Sequence, residues 1–183
     1  MKKYPSLTIG FTLIELLVTI AIASVIMGIA IPSFSTAIQN NRMTSQLNEF
    51  IRSLYLTRSE AVKRGVQVTM CKSNNGATCV VDAGATDWSQ GWIVFTDLNT
   101  NAIFDNAPEV LIKIQSAAYP QITIQSTHAA FRNSVSYSPD GSIPSTAGTI
   151  EICDNRRGEL VGKNIVLSTA GRARVDSGIL CPW

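Results

Sequence analysis

The chain has 183 residues, of which 45% are apolar and 15% are charged. This length suits one domain with a core of its own, and the composition excludes a disordered chain. Lys and Arg number 15 against 13 Asp and Glu, a net charge of +2, so a globally basic nucleic-acid-binding protein is excluded and any contact with nucleic acid or a membrane surface must come from a local patch.

Residues 11–31, FTLIELLVTIAIASVIMGIAI, form an apolar run that contains one charge, Glu15. At about 1.5 Å per residue, a helix of this length spans a hydrocarbon core of about 30 Å. Lys2 and Lys3 precede the run without any acid, which favours a cytoplasmic N-terminus and leaves the rest of the chain on the far side of the membrane. The small residue Gly10 comes before the apolar run and not after it, so cleavage there would keep the membrane segment on the mature protein.

Glu15 is the feature of this segment that needs an explanation. A carboxylate near a helix end can reach the interface, but an ionisable group inside a membrane segment is a functional-site hypothesis by default. Cleavage after Gly10 would give Phe11 a new α-ammonium, four residues from Glu15. The helix dipole also favours a carboxylate near a helix N-terminus. We therefore expect the partner of Glu15 to be an N-terminal ammonium, of its own chain or of a neighbour.

The stretch G-FTLIELL, residues 10–17, resembles the class III leader and N-terminal helix of type IV pilins and type II secretion pseudopilins. The resemblance implies that a prepilin peptidase removes residues 1–10 by cleaving after Gly10 and methylates the amine of Phe11. It also implies that Glu15 helps to dock the subunit among the other pilins of a filament. The expected protein is a single-pass protein of the bacterial inner membrane, with a periplasmic head, that later enters a pilus at the cell surface.

The helix is predicted to continue beyond the membrane over residues 32–65. Pro32 removes a backbone donor and should kink the helix, and Gly65 is a plausible stop. The intervening residues follow the i, i+3, i+4, i+7 rhythm of one buried face. That face comprises Leu47, Phe50, Ile51, Leu54, Arg58, Ala61 and Val62.

Short β-type runs follow, separated by turn sequences such as SNNGA, DLNTN, PDGS and TAGR. In PDG, residues 139–141, Pro presets φ and Gly supplies a positive φ, which predicts a turn. A long helix followed by many strands predicts an α+β fold with a β-rich region over residues 66–183. The strand candidates are residues 66–71, 92–96, 110–114, 122–124, 134–137, 149–153 and 164–168.

All four cysteines, Cys71, Cys79, Cys153 and Cys181, lie past the membrane segment, where an oxidising compartment allows disulfides. Three connectivities are possible. Cys71 and Cys79 flank a turn-rich loop that a disulfide could staple, which leaves Cys153–Cys181 to tie down the C-terminal tail, and we favour this pairing. Zinc is the alternative, but the spacings lack paired C-x₂-C knuckles and the chain has one histidine.

That histidine, His128, stands in the polar stretch STHAAF. No nucleophile can be paired with it from the sequence, so we interpret it as a surface residue. Since the sequence contains no catalytic constellation, we expect neither enzymatic activity nor a cofactor.

The segment DLNTNAIFDNAPE, residues 97–109, is spaced like the start of an EF-hand calcium loop. However, Ala102 stands where the loop needs Gly, and Pro108 stands where it needs a bidentate Glu, with Glu109 one residue late. Asn and Asp also favour turns through local hydrogen bonds, so we favour an acidic turn between strands. The side chains in the calcium pattern are Asp97, Asn99, Asn101 and Asp105.

The segment TAGRARV, residues 169–175, carries two arginines that alternate about Ala173. In a strand, Arg172 and Arg174 would project to one face, where their planar forks of donors could contact adjacent phosphates. Three further cations lie nearby in sequence and would widen the patch: Arg156, Arg157 and Lys163. The alternative is an ordinary solvated surface, because acidic residues are interspersed. These are Glu151, Asp154, Glu159 and Asp176.

The stretch WSQGWIVFTDLNTN…PEVL resembles the central region of the GspH/FimT family of minor pilins and pseudopilins. The sequence Gly171-Arg172-Ala173-Arg174 resembles the GRxR motif of FimT-type members of that family, which bind DNA in natural transformation. The likeness covers essentially the whole chain. It implies the type IV pilin fold, with a long N-terminal helix packed on an antiparallel β-rich head. It also implies DNA as a partner. Arginine contacts would be made mainly to phosphate, which predicts binding without sequence specificity. Few aromatic residues lie near the motif, so a base-stacking platform is not evident, although Trp183 is one candidate. Two alternatives stay open: a FimU-like adaptor within a pilus, and a type II secretion pseudopilin.

Overall fold

A computed structural model describes residues 10–81, 87–126, 128–156 and 158–181, with the backbone alone described at positions 31 and 32. The chain divides into two compact units, Met1–Asn40 and Asn41–Trp183. We call the second unit the head.

The first helix, α1, spans Leu13–Arg64 and passes through both units. Thr12 caps its start, because the Thr12 hydroxyl accepts a hydrogen bond from the Glu15 N–H at 3.3 Å. The pattern T-x-x-E at this point is that of a capping box, so Glu15 also belongs to the sequence signal for the helix start. Large apolar side chains from Leu13 to Ile29 are 49% to 76% exposed. By length and composition, α1 could cross a membrane.

The end of α1 agrees with the predicted stop. Gly65 adopts a φ of 66° and its N–H donates to the carbonyl of Ala61 at 3.0 Å, which is a glycine C-terminal cap. The helix is continuous through position 32, and the kink expected at Pro32 stays a prediction.

Eight strands follow α1 within the described residues, and the bounds of the seven predicted strands agree with the predicted runs to within two residues. The seven predicted strands are confirmed, and the eighth, which contains the second arginine of the GRxR motif, was absent from the predicted set. The strands are β1 (Val68–Lys72), β2 (Trp92–Thr96), β3 (Leu111–Gln115), β4 (Thr123–Ser126), β5 (Ser134–Tyr137), β6 (Gly148–Cys153), β7 (Gly162–Leu167) and β8 (Ala173–Ile179). Two short 3₁₀ helices, Trp88–Gln90 and Ala129–Phe131, interrupt the connections.

The strands form two four-stranded sheets in which the paired neighbours are antiparallel. The first sheet has the order β3-β2-β1-β5 and the second has the order β4-β6-β7-β8. Together with α1, they confirm the α+β prediction. In the second sheet, β8 is an edge strand that pairs only with β7, and the connection between these two strands carries the GRxR sequence.

The core of the head lies between α1 and both sheets. Phe50 is fully buried and its ring meets the rings of Trp88 and Trp92 edge to face, at 5.3 Å and 5.0 Å between centroids. The predicted helix face is therefore correct in its centre, where Leu54 is also fully buried, and wrong at Val62, which is exposed. The other core residues of α1 are Met43, Leu47 and Ala61.

Both disulfides pair as predicted. Cys71–Cys79 closes a short loop after β1, and Cys153–Cys181 joins the end of β6 to the C-terminal segment. The second disulfide is accompanied by backbone hydrogen bonds from Gly158 to Cys181 and from Cys181 to Glu159. The chain after β8 is thus fixed to the sheet that carries the arginines.

Candidate nucleic-acid interface at the β7–β8 turn

The connection between β7 and β8 is a tight turn over Ser168–Arg172. The Gly171 N–H donates to the carbonyl of Ser168 at 2.9 Å, and the Ser168 N–H donates to the carbonyl of Arg172 at 3.0 Å. Gly171 adopts a φ of 74°, a left-handed conformation that L side chains rarely take. The glycine of the GRxR motif is therefore required by the backbone of this turn.

A second turn, Ser138–Ser142, has the same hydrogen-bond pattern. The Gly141 N–H donates to the carbonyl of Ser138 at 2.8 Å, the Ser138 N–H donates to the carbonyl of Ser142 at 2.9 Å, and Gly141 has a φ of 78°. The turn predicted at PDG is thus confirmed.

The two turns pack against each other so closely that a side chain at Gly171 has no room. A Cβ built there would lie 2.0 Å from the carbonyl oxygen of Gly141 and 3.0 Å from Cε1 of Tyr137. The N–H of Ile143 also donates to the carbonyl of Thr169 at 2.9 Å, which joins the two turns directly. The β7–β8 turn is therefore held in place by the Ser138–Ser142 turn, which we call the supporting turn.

Arg58 of α1 joins this pair of turns to the helix. Its Nη2 donates to the carbonyl of Ala170 at 3.0 Å, and a Cβ at Gly141 would lie 3.0 Å from its Nε. Burial of the neighbouring Tyr137 raises the pKa of that phenol to about 12, against the opposing effect of the Arg58 charge. The sequence indicates the importance of Arg58 only as a charge on an otherwise apolar helix face.

Arg172 and Arg174 are both exposed and lie on one face of the second sheet. Arg174 is paired with Val166, and the hydrogen bond between Ser168 and Arg172 continues the ladder by two residues. Because side chains alternate along a strand, Arg172 and Arg174 share a face. The Arg174 side chain is 72% exposed and its Nη2 lies 3.0 Å from a carboxylate oxygen of Asp176. An exposed pair of this kind contributes at most about 1 kcal/mol, so Arg174 is available to exchange partners.

Two of the other predicted cations, Lys163 and Arg156, do not join this pair. Lys163 lies on the same face of β7 as the buried Ile165 and Leu167, which is opposite to the face of Arg174. The Arg156 side chain is largely buried and forms an ion pair with the buried Asp154, with Nε 2.9 Å from Oδ2. Arg157 and Trp183 lie outside the described residues. Within the described part of the chain, the basic patch is therefore narrower than the sequence predicts.

Two carboxylates also occupy the face of Arg174. Glu151 of β6 and Asp176 of β8 are both paired with Asn164 of β7, so the three residues form one row across the sheet. Burial raises the pKa of Glu151. Arg172, at the end of the turn, and Arg174, near the start of β8, both precede this row, so positive charge is concentrated at the turn and declines along the strand.

In the loop with calcium-like spacing, two carboxylates bind backbone N–H groups of the same loop. The buried Asp97 accepts hydrogen bonds from the N–H groups of Asn101 and Ala102, both at 3.1 Å, and the buried Glu109 accepts from those of Leu98 and Asp105, both at 3.0 Å. Among the described residues, no group of three or more His, Cys, Asp or Glu side chains is placed to hold a metal ion. The four hydrogen bonds from backbone N–H groups show that the two carboxylates stabilise an acidic turn, which is the arrangement favoured from the sequence.

His128 has a structural role that differs from the predicted surface position. It is half-buried and caps the 3₁₀ helix Ala129–Phe131, since its Nδ1 accepts from the Ala130 N–H at 3.3 Å.

The decisive comparison is with protein families. The family described as "Type II transport protein GspH" matches residues 46–171, more than half of the chain. The chain belongs to the GspH family. A second match, to the "Prokaryotic N-terminal methylation motif", covers residues 9–31 of this GspH-family protein, including Gly10, Phe11 and Glu15. The family match ends at Gly171, so Arg172 and Arg174 lie immediately beyond it.

Solved structures similar to this GspH-family protein include one minor pilin, in two crystal forms, and one minor pseudopilin. The type IV minor pilin FimU of Pseudomonas aeruginosa is 20% identical with a TM-score of 0.56, and the match covers 76% of this chain and 92% of FimU. A second crystal form of FimU, also 20% identical, gives a TM-score of 0.52 and covers 74% of this chain and 93% of FimU. The minor pseudopilin EpsH of the Vibrio cholerae type II secretion system is 11% identical with a TM-score of 0.49, covering 74% of this chain and 97% of EpsH. No curated protein sequence matches significantly.

The FimU likeness confirms the type IV pilin fold. The family and motif matches identify this GspH-family protein as a minor pilin or pseudopilin of the GspH type, and that family implies assembly with other pilins and processing by a prepilin peptidase.

Proposed function

We propose that this minor pilin binds DNA through phosphate contacts made by Arg172 and Arg174, and that it captures extracellular DNA for uptake in natural transformation. The observation that supports the proposal is the placement of the two guanidiniums, both exposed and on one face at a turn that is fixed by the supporting turn and by Arg58. A fixed turn lowers the conformational entropy lost when the arginines engage a ligand.

The proposed contact is electrostatic and therefore weak and sensitive to salt. Two phosphates neutralised on duplex DNA predict a slope of log K against log[salt] of about −1.8, which is roughly a tenfold loss of affinity between 50 and 200 mM salt. Contacts to phosphate position a protein but carry no sequence information, so we expect little sequence preference. Several copies in one filament would raise the overall affinity through avidity.

The remaining residue roles belong to the same proposal. We propose cleavage after Gly10, methylation of the Phe11 amine, and docking through Glu15, which lies in the first turn of α1. The head then faces the periplasm before assembly and the cell exterior afterwards, and the protein has no enzymatic activity.

The test is a DNA titration with the full-length, oxidised protein in a zwitterionic detergent. Fluorescence anisotropy of a labelled random-sequence duplex is followed at 50 and 200 mM salt for the wild type and for Arg172→Ala/Arg174→Ala. The matched control is Arg52→Ala/Lys63→Ala, which also removes two positive charges from side chains that are each 75% exposed. We expect salt-sensitive binding that the first variant loses and the control retains.

Two results would reject DNA capture by this site. One is the absence of binding by the folded wild type even at low salt. The other is equal loss of binding in both double variants, since net charge alone would then account for it. Either result would favour an adaptor in the pilus or a type II secretion pseudopilin, in which Arg172 and Arg174 make protein contacts.

A further inference from the structure

The head contains a groove of about 340 Å³ that the proposed function does not use. One wall is α1, with Ser45, Gln46 and Glu49, and the other runs from Gln115 at the end of β3 to Tyr119. Its volume lies within the usual range of small-molecule sites, about 300 to 1,000 Å³. Side chains with hydroxyl, amide and carboxylate groups converge on it, so its lining is more polar than that of most small-molecule sites and favours a ligand rich in hydrogen-bonding groups.

Gln46 is the residue that points to a ligand. Its side chain is 8% exposed, yet among the described residues no group donates a hydrogen bond to its buried Oε1. A buried amide oxygen without a partner is unfavourable for folding, and native proteins keep few of them. Gln46 lines the groove, so rotation of its amide would present either the oxygen or the nitrogen to a bound molecule.

The charges around the groove are already paired, which argues against an ionic ligand. Glu49 forms ion pairs with Lys113 and, at 3.9 Å, with Arg52. Arg42 donates to Gln121 at 3.4 Å and lies over the Tyr119 ring, with its Cζ 5.4 Å from the ring centroid. An ion would have to displace one of these partners, whereas a neutral ligand with hydrogen-bonding groups would not.

Tyr119 adds an exposed aromatic surface to these polar groups. We propose that the groove binds a neutral saccharide, whose hydroxyls meet the amides of Gln46 and Gln115 and the Ser45 hydroxyl while a sugar ring lies against the side of the Tyr119 ring that faces away from Arg42. Hydroxyls both donate and accept hydrogen bonds, so a saccharide satisfies the Gln46 amide in either orientation. The proposal is independent of DNA binding, because no residue of the arginine turn lines the groove.

The test begins with the full-length, oxidised protein in a zwitterionic detergent that has no sugar head group. It is applied to an array of immobilised neutral di- and trisaccharides built from glucose, galactose, mannose and N-acetylglucosamine. Saccharides that bind are then measured free in solution by saturation-transfer NMR. We expect at least one to bind, with an affinity that does not change between 50 and 200 mM salt.

Variants locate the site. Ala117→Trp, which fills the groove, and Tyr119→Ala should each weaken binding about tenfold or more. Gln46→Leu should weaken binding without lowering thermal stability, because it removes the unpaired amide. Tyr55→Ala, which changes an exposed tyrosine of α1 outside the groove, is the matched control and should bind like the wild type.

Three results would overturn the proposal. The first is that no neutral saccharide binds the folded wild type. The second is binding that folded Ala117→Trp and Tyr119→Ala proteins retain in full. The third is binding confined to sialylated or sulfated glycans on a second array and lost at high salt, which would identify a charged ligand instead.

Discussion

Replacement of Gly171 by alanine tests whether the arginine turn is as rigid as its packing indicates. The new Cβ would lie 2.0 Å from the carbonyl oxygen of Gly141, a backbone atom that no side-chain rotation can move away. The residue would also have to hold a φ of 74°, which is unfavourable for an L side chain. We expect the two turns to separate.

The size of the effect follows from the contacts that would be lost. Holding alanine in the left-handed region costs about 1–2 kcal/mol. Separation would break the hydrogen bond from Ile143 to Thr169, worth about 1 kcal/mol, and the charged one from Arg58 to Ala170, worth about 1.5 kcal/mol at a half-buried position. The free energy of unfolding should therefore fall by about 3–5 kcal/mol.

Gly178→Ala is the matched control, because Gly178 lies on β8 with a φ of 77° and a Cβ built there would meet no heavy atom of the described residues within 4 Å. It should cost only the backbone term, about 1–2 kcal/mol. Unfolding of the oxidised full-length chain is followed by the fluorescence of the buried Trp88 and Trp92. Gly171→Ala should lower Tm by about 5 to 10 °C more than the control. Equal losses in the two variants would refute the tight packing of the turns.

Three further predictions concern the disulfides, a buried phenol and the assembly helix. Cys153→Ser removes a disulfide with a sequence separation of 28 and should lower the free energy of unfolding in urea by about 3–4 kcal/mol. Cys71→Ser removes one with a separation of 8 and should lower it by about 2–3 kcal/mol. A larger loss for Cys71→Ser would contradict the loop-entropy account. Burial raises the pKa of Tyr137 from 10.0 to about 12, so the unfolded chain loses the phenol proton at a lower pH than the folded chain. The free energy of unfolding should therefore fall by up to about 2.7 kcal/mol between pH 10 and 12. Tyr137→Phe should remove this part of the fall, and the same pH profile in wild type and variant would contradict the prediction. Glu15→Ala should leave processing intact but lower the amount of subunit in sheared filaments at least tenfold, and undiminished incorporation would exclude a docking role.

Much of the fold follows from short-range patterns. The apolar run, the stop at Gly65 and the buried helix face predict α1, and apolar β-type runs predict seven of the eight strands. The exception is β8, Ala173–Ile179, which lies at a sheet edge and includes Asp176 and a glycine in a left-handed conformation. The strands β3, β4 and β5 also lie at sheet edges, but most of their side chains are at least half-buried, whereas most side chains of β8 are exposed. A strand that buries so little surface does not require an apolar run, so the sequence of β8 resembles that of a turn.

The candidate site was predictable in its centre and not in its extent. The alternation of Arg172 and Arg174 gives their shared face correctly because it depends on strand geometry alone. Lys163 is excluded from the basic patch because it lies on the same face of β7 as buried residues. Arg156 is excluded because it forms an ion pair with Asp154. Neither contact follows from nearness in sequence, and the hydrogen bond from Arg58 spans 112 positions.

The mutual packing of the two turns has a consequence for protein engineering. A short peptide that contains the GRAR sequence would lack the carbonyl of Gly141, the hydrogen bond from Ile143 and the side chain of Arg58, which together determine how the arginines are presented. Transplanting the pair onto another scaffold therefore requires three segments that are distant in sequence. For the same reason, a library that randomises the β7–β8 turn alone will contain many sequences that cannot pack against the supporting turn. Libraries should therefore vary both turns together.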